Sequence, residues 1–279
     1  MNRIVGTKLA IVSDKPQTTR RRILGVRNYD NGQVVFVDTP GIHRPLHRMN
    51  VRMVDAAVET LGEVDVVGVV VDVSESPGAG LRYLLDLVKD TRAKVVLILN
   101  KVDLIKKHRM LPIIDQLSKE RDWEAIVPVS AVTGDNVAHL EEVLLDALPE
   151  GQPLYPEDYL TDQPERDMAA EMVREQVLRL TRDELPFSTA VLIDQFQEPT
   201  EEDPTTRIYA TILVERESQK PIVIGRGGEM IKEIGTSARR EMQEFFRGSV
   251  FLDLRVAVRD EWREDTRILD RLGLRDRQK

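Results

Sequence analysis

The sequence predicts an α/β domain with a mostly parallel sheet, followed by a smaller α+β domain. Three observations carry this expectation. Short apolar runs alternate with segments of helical periodicity over the first half of the chain. A stretch rich in Pro, Asp and Glu then interrupts the pattern between Pro149 and Asp167. Beyond it the order changes to one helix, two alternating strands, a glycine cluster between two helices, and a last strand. The expected boundaries are residues 1–149, a linker over 150–167, and residues 168–279. With 279 residues, 41% of them hydrophobic, each part has enough apolar side chains for its own core.

In order, Met1–Gly6 reads as the last turns of a helix closed by its glycine. The segment Lys8–Asp14 leads into a polar, basic loop, Lys15–Arg20. An edge strand is expected over Arg21–Asn28, a hairpin turn at Asp30-Asn31-Gly32, and an antiparallel return over Val34–Asp38. The apolar run Val34–Val37 is continuous, which predicts a strand covered on both faces. Met49, Met53, Val54, Ala57, Val58 and Leu61 space a helix over 47–61. Val64–Val73, Val95–Leu99 and Ala125–Val129 read as buried strands. Helices are spaced by Leu81, Leu84, Leu85 and Val88, then Leu111, Ile114 and Leu117, then Val137, Leu140, Val143, Leu144 and Leu148. Past the linker the elements are a helix over Met168–Thr181, strands over Ser188–Phe196 and Thr206–Glu215, helices around 225–246, and a strand over Val250–Val258. The tail is charged, with helix expected through Leu272.

Composition removes several function classes. No cysteine means no disulfide, no thiol catalysis and no cysteine-zinc site. No apolar run approaches the ~18 residues of a membrane-spanning helix. No leader pattern follows Met1, and a cytoplasmic location is expected. His43 and His47 are four apart, but Pro45 between them argues for a solvated loop rather than a metal site. The net charge of -8 argues against binding nucleic acid by bulk electrostatics, so any RNA contact must come from a shaped site. The charge is uneven: Arg3, Lys8, Lys15, Arg20, Arg21, Arg22 and Arg27 are balanced only by Asp14 in the first segment.

Asp38-Thr39-Pro40-Gly41 closes the Val34–Val37 run, and ligands of open α/β sheets bind at such carboxyl ends of strands. The carboxylate suits Mg²⁺, and a glycine lets the backbone approach a phosphate. A surface turn at Pro40-Gly41 is the plainer alternative. Thr18 and Thr19 offer hydroxyls that could also ligate Mg²⁺. Asn100-Lys101-Val102-Asp103 follows the next-to-last apolar run of this domain. An Asp there accepts from the N1–H and exocyclic amine of guanine, a donor pair adenine lacks. Asn100 bonds the purine ring or anchors neighbouring loops, and the Lys101 stem covers the base. Ser130-Ala131 follows the next strand, placing the Ala131 N–H to meet the guanine carbonyl oxygen. Gly225-Arg226-Gly227-Gly228 joins two helices and lets the backbone approach a sugar-phosphate chain. The competing dinucleotide loop lacks its third glycine, because Met230 stands there.

Taken in order, Gln17-Thr18-Thr19-Arg20, Asp38–Gly41, Asn100–Asp103, Ser130-Ala131 and Gly225-x-x-Gly228 resemble the Era family. These are bacterial GTPases with a P-loop-NTPase-like domain and a C-terminal KH domain of the type II order. Pro156-Glu157-Asp158-Tyr159 and Leu213-Val214-Glu215-Arg216-Glu217 extend the resemblance over essentially the whole chain. It implies GTP and GDP as ligands with Mg²⁺, and Thr19 or Thr18 and Asp38 as metal residues. Gly41 would sense the γ-phosphate. Guanine would be selected by Asn100, Lys101 and Asp103 with Ala131. RNA would be held by Gly225–Gly228 and Lys232. It also implies a monomer that binds the 3′ end of small-subunit ribosomal RNA, assists assembly of the small ribosomal subunit, and associates in part with the inner face of the cell membrane.

Two departures qualify it. Gly227 stands where a basic residue is common, leaving phosphate attraction to Arg226, Lys232 and Lys220. The larger one is that the family begins with a strand and Gly-x-x-x-x-Gly-Lys-Ser/Thr, and no such stretch occurs in this sequence. The expected consequence is two strand edges, at Val34–Val37 and Val64–Val71, without the partner between them. Ile42 stands where Ras-like proteins carry a water-orienting Gln, so no catalytic residue is assigned and hydrolysis is expected to be slow or to use another group. Two readings follow: a GTP-hydrolysing switch, or an RNA-binding protein whose nucleotide domain hydrolyses nothing.

Overall fold

The computed structural model describes residues 1–15, 18–42, 45–75, 79–182 and 185–275; Gln17 and His43, singled out above, lie outside them. The first elements are α1 (Asn2–Val5), β1 (Ile23–Tyr29), β2 (Gly32–Asp38), α2 (Arg48–Leu61), β3 (Val66–Asp72), α3 (Ala79–Val88), β4 (Lys94–Asn100), α4 (Met110–Ser118), β5 (Ala125–Pro128) and α5 (Val137–Ala147). They are followed by α6 (Glu165–Leu180), α7 (Leu185–Ser188), β6 (Ala190–Gln197), β7 (Thr205–Val214), α8 (Lys220–Ile224), α9 (Glu229–Phe246), β8 (Ser249–Val258) and α10 (Thr266–Arg271). The chain forms two compact units that interleave in sequence. One comprises Met1–Leu9, Arg22–Pro45 and Val54–Thr161; the other comprises Ala10–Arg21, Leu46–Met53 and the residues from Asp162 onward.

In the first unit, β3, β4 and β5 make a parallel sheet in that order, and β1 with β2 makes a separate antiparallel hairpin. The alternation of β4 explains its continuous apolar run. Val95, Leu97 and Leu99 enter one core with Val67, Val69, Val71, Val88 and Leu117. Val96 and Ile98 point the opposite way, into a second core with Val127, Val129, Leu140 and Leu144. A central strand with helices on both faces can be apolar throughout.

The outer strands correct the sequence reading. β3 is the sheet edge that was expected, but it is not the buried strand its apolar run implied. Its Val67, Val69 and Val71 are buried, whereas Val70 is 57% exposed, because the second core does not extend over it. Among the described residues β2 pairs only with β1, and of its apolar residues only Val34 is fully buried. The two strands expected to lack a partner between them do belong to separate sheets.

The linker is fixed to the hairpin. Leu160 accepts from the Val26 N–H, Thr161 Oγ1 donates to the Leu24 carbonyl, and the Gln33 side chain binds both amides of Leu154 and Tyr155. Acidic, proline-rich composition therefore marks an ordered strap here. Helix α6 begins at Glu165, two residues before the expected linker end at Asp167.

In the second unit β7 is central, antiparallel to β6 and parallel to β8. Its alternation buries Thr206, Ile208, Ala210, Ile212 and Val214. Helix α9 turns Ile234, Ala238 and Met242 inward, each four residues from the next. A further core joins Met49 and Met53 with Leu192, Leu213, Trp262, Leu269 and Leu274. Trp262 is fully buried and its indole N–H donates to the Ser188 carbonyl at 2.9 Å.

Candidate functional site

The carboxyl ends of β3, β4 and β5 lie side by side, with Asp72 opposite Asn100 and Leu99 opposite Pro128. This register brings the Asn100–Asp103 loop next to Ser130-Ala131, as an open parallel sheet requires of a ligand site. The Asn100 side-chain oxygen accepts from the Ala131 N–H at 3.0 Å, joining the two loops directly. The Ala131 amide, expected to face the guanine carbonyl oxygen, is therefore engaged by Asn100. Ser130 is fully buried; its hydroxyl accepts from the Thr133 amide and its own amide donates to the Asp135 carbonyl. Its role is to hold the shape of the loop.

Lys101 adopts the left-handed conformation, φ 68°, before the short turn Val102–Leu104. This reverses the chain and presents Asp103 at the surface. The Asp103 side chain makes no hydrogen bond among the described residues, so its acceptor positions remain available. Lys101 Nζ lies 2.5 Å from Asp72 Oδ2. Burial works against the Asp72 charge, but bonds from Lys101 and Ser74 outweigh it and hold its carboxyl below the usual range. Asp72 in turn raises the Lys101 ammonium. Sequence reading passed over Asp72. Its signal was the one that marked Asp38: an acid closing an apolar run.

At the end of β2, Asp38 and Thr39 are half-buried, Pro40 is buried, and Gly41 is exposed. A Cβ added at Gly41 would meet nothing within 4 Å, so the fold itself does not demand glycine there. Ile42 is half-buried.

Thr18 and Thr19 belong to the second unit, whereas Asp38 belongs to the first. The Thr18 hydroxyl donates to the Lys15 carbonyl at 2.6 Å. The Thr18 carbonyl accepts from Arg174, a residue of α6 with its side chain 2% exposed, which also pairs with Glu171. Glu175 accepts from the Val12 amide, Arg21 pairs with Asp167 at 2.7 Å, and Arg20 donates to the Thr189 carbonyl at 2.7 Å. Burial, then the Arg174 charge, pushes the Arg20 guanidinium down. Burial opposes the Glu171 charge, but Arg174, Arg21 and Arg20 hold its carboxyl low. Helix α6 thus fastens the loop that carries both threonines. Arg174→Ala would leave Glu171 and the Thr18 carbonyl without this donor. It is expected to destabilise the second unit by about 2 kcal/mol, measured by chemical denaturation. A change within about 0.5 kcal/mol, the usual range for surface substitutions, would mean that solvent replaces the contact.

The glycine turn is held between α8 and α9. All three of its glycines have positive φ: Gly225 at 78°, Gly227 at 60° and Gly228 at 84°. The Gly228 amide donates to the Gly225 carbonyl at 3.2 Å. Arg226 and Lys232 are exposed and Lys220 is half-buried, while Ile234 is fully buried behind the turn and Ile231 partly so. Backbone and basic groups therefore face outward on a packed base, as a phosphate-chain contact needs.

Comparison with known proteins agrees with this arrangement. Residues 1–101 match the family described as 50S ribosome-binding GTPase, and residues 184–263 match the KH domain. The GTPase Era of Geobacter metallireducens is 47% identical over 273 residues, 98% of this chain and 91% of that protein. The GTPase Era of Staphylococcus haemolyticus is 41% identical over the same shares. Among solved structures, Era in complex with MgGDPNP and nucleotides 1506–1542 of 16S ribosomal RNA is 38% identical, with a TM-score of 0.94 over 99% of this chain and 93% of that one. A variant of Aquifex aeolicus Era bound to GDP and aluminium fluoride has a TM-score of 0.93 at 38% identity, over the same shares. Identity at this level along nearly the whole chain, with both domains matched in the same order, makes it a member of the Era family of GTPases.

Proposed function

We propose that this protein is a guanine-nucleotide switch that binds and hydrolyses GTP and binds the 3′ end of small-subunit ribosomal RNA, assisting small-subunit assembly. The observation that carries the nucleotide half is the junction at the ends of β4 and β5. There Asn100 ties the Ala131 loop beside an exposed Asp103 carboxylate. The glycine turn of the second unit supports the RNA half.

The residues present fit the purine and the metal. Asp103 offers two acceptors to the N1–H and exocyclic amine of guanine. Mg²⁺ typically takes one or two protein oxygens plus phosphates and water. Asp38 would supply one of those oxygens. When bound with the nucleotide, Mg²⁺ neutralises charge developing on the phosphoryl oxygens. The Gly41 backbone approaches the γ-phosphate, and Lys101, oriented by Asp72, covers the base. Ile42 supplies no group to orient water, so hydrolysis by this chain is slow or uses another group. Gly225–Gly228 and Arg226 clamp the sugar-phosphate backbone, with Lys232 adding charge.

We also propose a cytoplasmic monomer with a peripheral share on the inner face of the cell membrane; the family resemblance is its support. No helix among the described residues is long and apolar enough to cross a membrane.

The deciding experiment is binding of labelled GTP and GDP to the 279-residue chain, with and without Mg²⁺, beside a mobility shift with a 3′-end fragment of 16S ribosomal RNA. Mg²⁺-dependent GTP binding together with the shift is the expected result. An RNA shift without nucleotide binding would leave an RNA-binding protein and overturn the switch.

A further inference from the structure

Asp135 and Val137 tie loop 130–134 to the chain that follows it, and two side chains from distant parts of the sequence hold it as well. Asn100 accepts the Ala131 N–H. Arg3, on α1, takes the carbonyls of the next two peptide groups. Its Nε donates to the Ala131 carbonyl at 2.7 Å and its Nη2 donates to the Val132 carbonyl. Gly134 accommodates the guanidinium: a Cβ there would come within 3.0 Å of Arg3 Nη1, and its φ of +88° is unfavourable for any other residue. Within the loop, the Ser130 hydroxyl and carbonyl accept from the Thr133 and Gly134 amides. Those bonds fix its curl, but they do not fix where it sits against the Asn100–Asp103 turn.

We propose that Arg3 is a positioning residue for guanine recognition. Its planar fork binds two successive carbonyls, so that Arg3 and Asn100 grip loop 130–134 from opposite sides and hold it beside Asp103. A lysine, a point charge on a flexible stem, can serve one carbonyl but does not reproduce the fork. Arg3 itself touches no base. It acts through the orientation of Ala131 and Val132. Val132 is 76% exposed, so apolar packing at its side chain does little to replace the clamp. The proposal rests on the nucleotide reading above for its ligand, but not for its geometry.

Two measurements on the full chain test it: amide hydrogen exchange over residues 129–136 without nucleotide, and competition of GDP, IDP and ADP against a fluorescent guanine nucleotide. Arg3→Ala is expected to speed exchange of this loop at least ~10-fold and weaken GDP about 10- to 100-fold, the scale of losing two charge-assisted hydrogen bonds. The preference for GDP over ADP is expected to narrow, because the released loop no longer holds its place beside the Asp103 carboxylate. Arg3→Lys is expected to recover part of both effects, and it serves if the alanine variant does not fold. Loop exchange and nucleotide preference unchanged within about twofold, the noise expected of a substitution that matters little, would overturn the proposal. If the unsubstituted chain binds no guanine nucleotide, the nucleotide reading fails. The exchange measurement then still decides whether Arg3 holds the loop.

Discussion

Gly225→Ala is expected to lower affinity for single-stranded ribosomal RNA by more than tenfold, roughly the effect of ~1.4 kcal/mol, while Gly227→Ala changes it little. The two glycines share a turn but not a predicament. Gly225 has φ 78° and ψ 172°, a region open essentially to glycine alone. A Cβ there would lie 2.6 Å from Met230 Cβ and 2.7 Å from the Met230 backbone nitrogen. Met230 stands in the first turn of α9, so the obstacle is helix backbone rather than the far end of a flexible side chain. Relief requires α8 and α9 to separate at the turn, which displaces Arg226 and the amides beside it. Strain and overlap together should cost about 2–4 kcal/mol of stability. Gly227, at φ 60° and ψ 15°, occupies the left-handed region that other residues tolerate for ~1–2 kcal/mol, and its Cβ would meet open space. Fluorescence anisotropy with a 3′-end fragment of 16S ribosomal RNA, beside thermal unfolding, separates the two. Equal RNA affinity for both variants would mean that the turn is a structural joint and the RNA lies elsewhere.

Much of this architecture was readable from local pattern. β4 announces itself because both its faces are covered, and a strand of that kind needs no polar residue along its length. The loops after β4 and β5 could be placed because parallel strands put their carboxyl ends on one side. What local pattern does not contain is which neighbour covers a given face. β3 reads like β4, Val for Val, yet Val70 is exposed, because coverage depends on helices far off in sequence. Trp262, Leu269 and Leu274 sit within a strongly charged tail, where no periodic run reveals them, and their partners Met49 and Met53 are some two hundred residues away. The same limit applies to the candidate site. Ala131 could be assigned to the purine from its position after a strand. Its engagement by Asn100 and Arg3 could not, because neither tie follows from spacing along the chain. Nor could the ties of Val12 and Thr18 to α6, since they depend on Glu175 and Arg174, which read in sequence as an ordinary charged helix face.

Asp103→Asn is expected to reverse base preference, weakening GDP by at least ~100-fold and making XDP the tighter ligand. The argument begins with what Asp103 does not do. Its side chain is exposed and makes no hydrogen bond among the described residues. The turn that carries it is held by backbone: Val102 N–H to the Val129 carbonyl at 3.3 Å, Leu104 N–H to the Lys101 carbonyl at 3.0 Å, and the left-handed Lys101. The neighbouring ion pair of Lys101 with Asp72 does not involve it. Replacing one carboxylate oxygen by an amide should therefore leave stability within about 0.5 kcal/mol. At the base the change is large. A carboxylate accepts from both the N1–H and the exocyclic amine of guanine, whereas an asparagine turns one of its two groups into a donor. Against guanine that donor meets another donor, and a desolvated pair is left unmatched at a cost of several kcal/mol. Xanthine carries a carbonyl in place of the amine, so the same asparagine pairs with it at both positions. Competition of GDP and XDP against a fluorescent guanine nucleotide, alongside thermal unfolding, measures both halves. Equal losses for the two nucleotides with a lowered unfolding midpoint would place Asp103 in the turn's own stability. A reversal at unchanged stability would place its carboxylate on the purine.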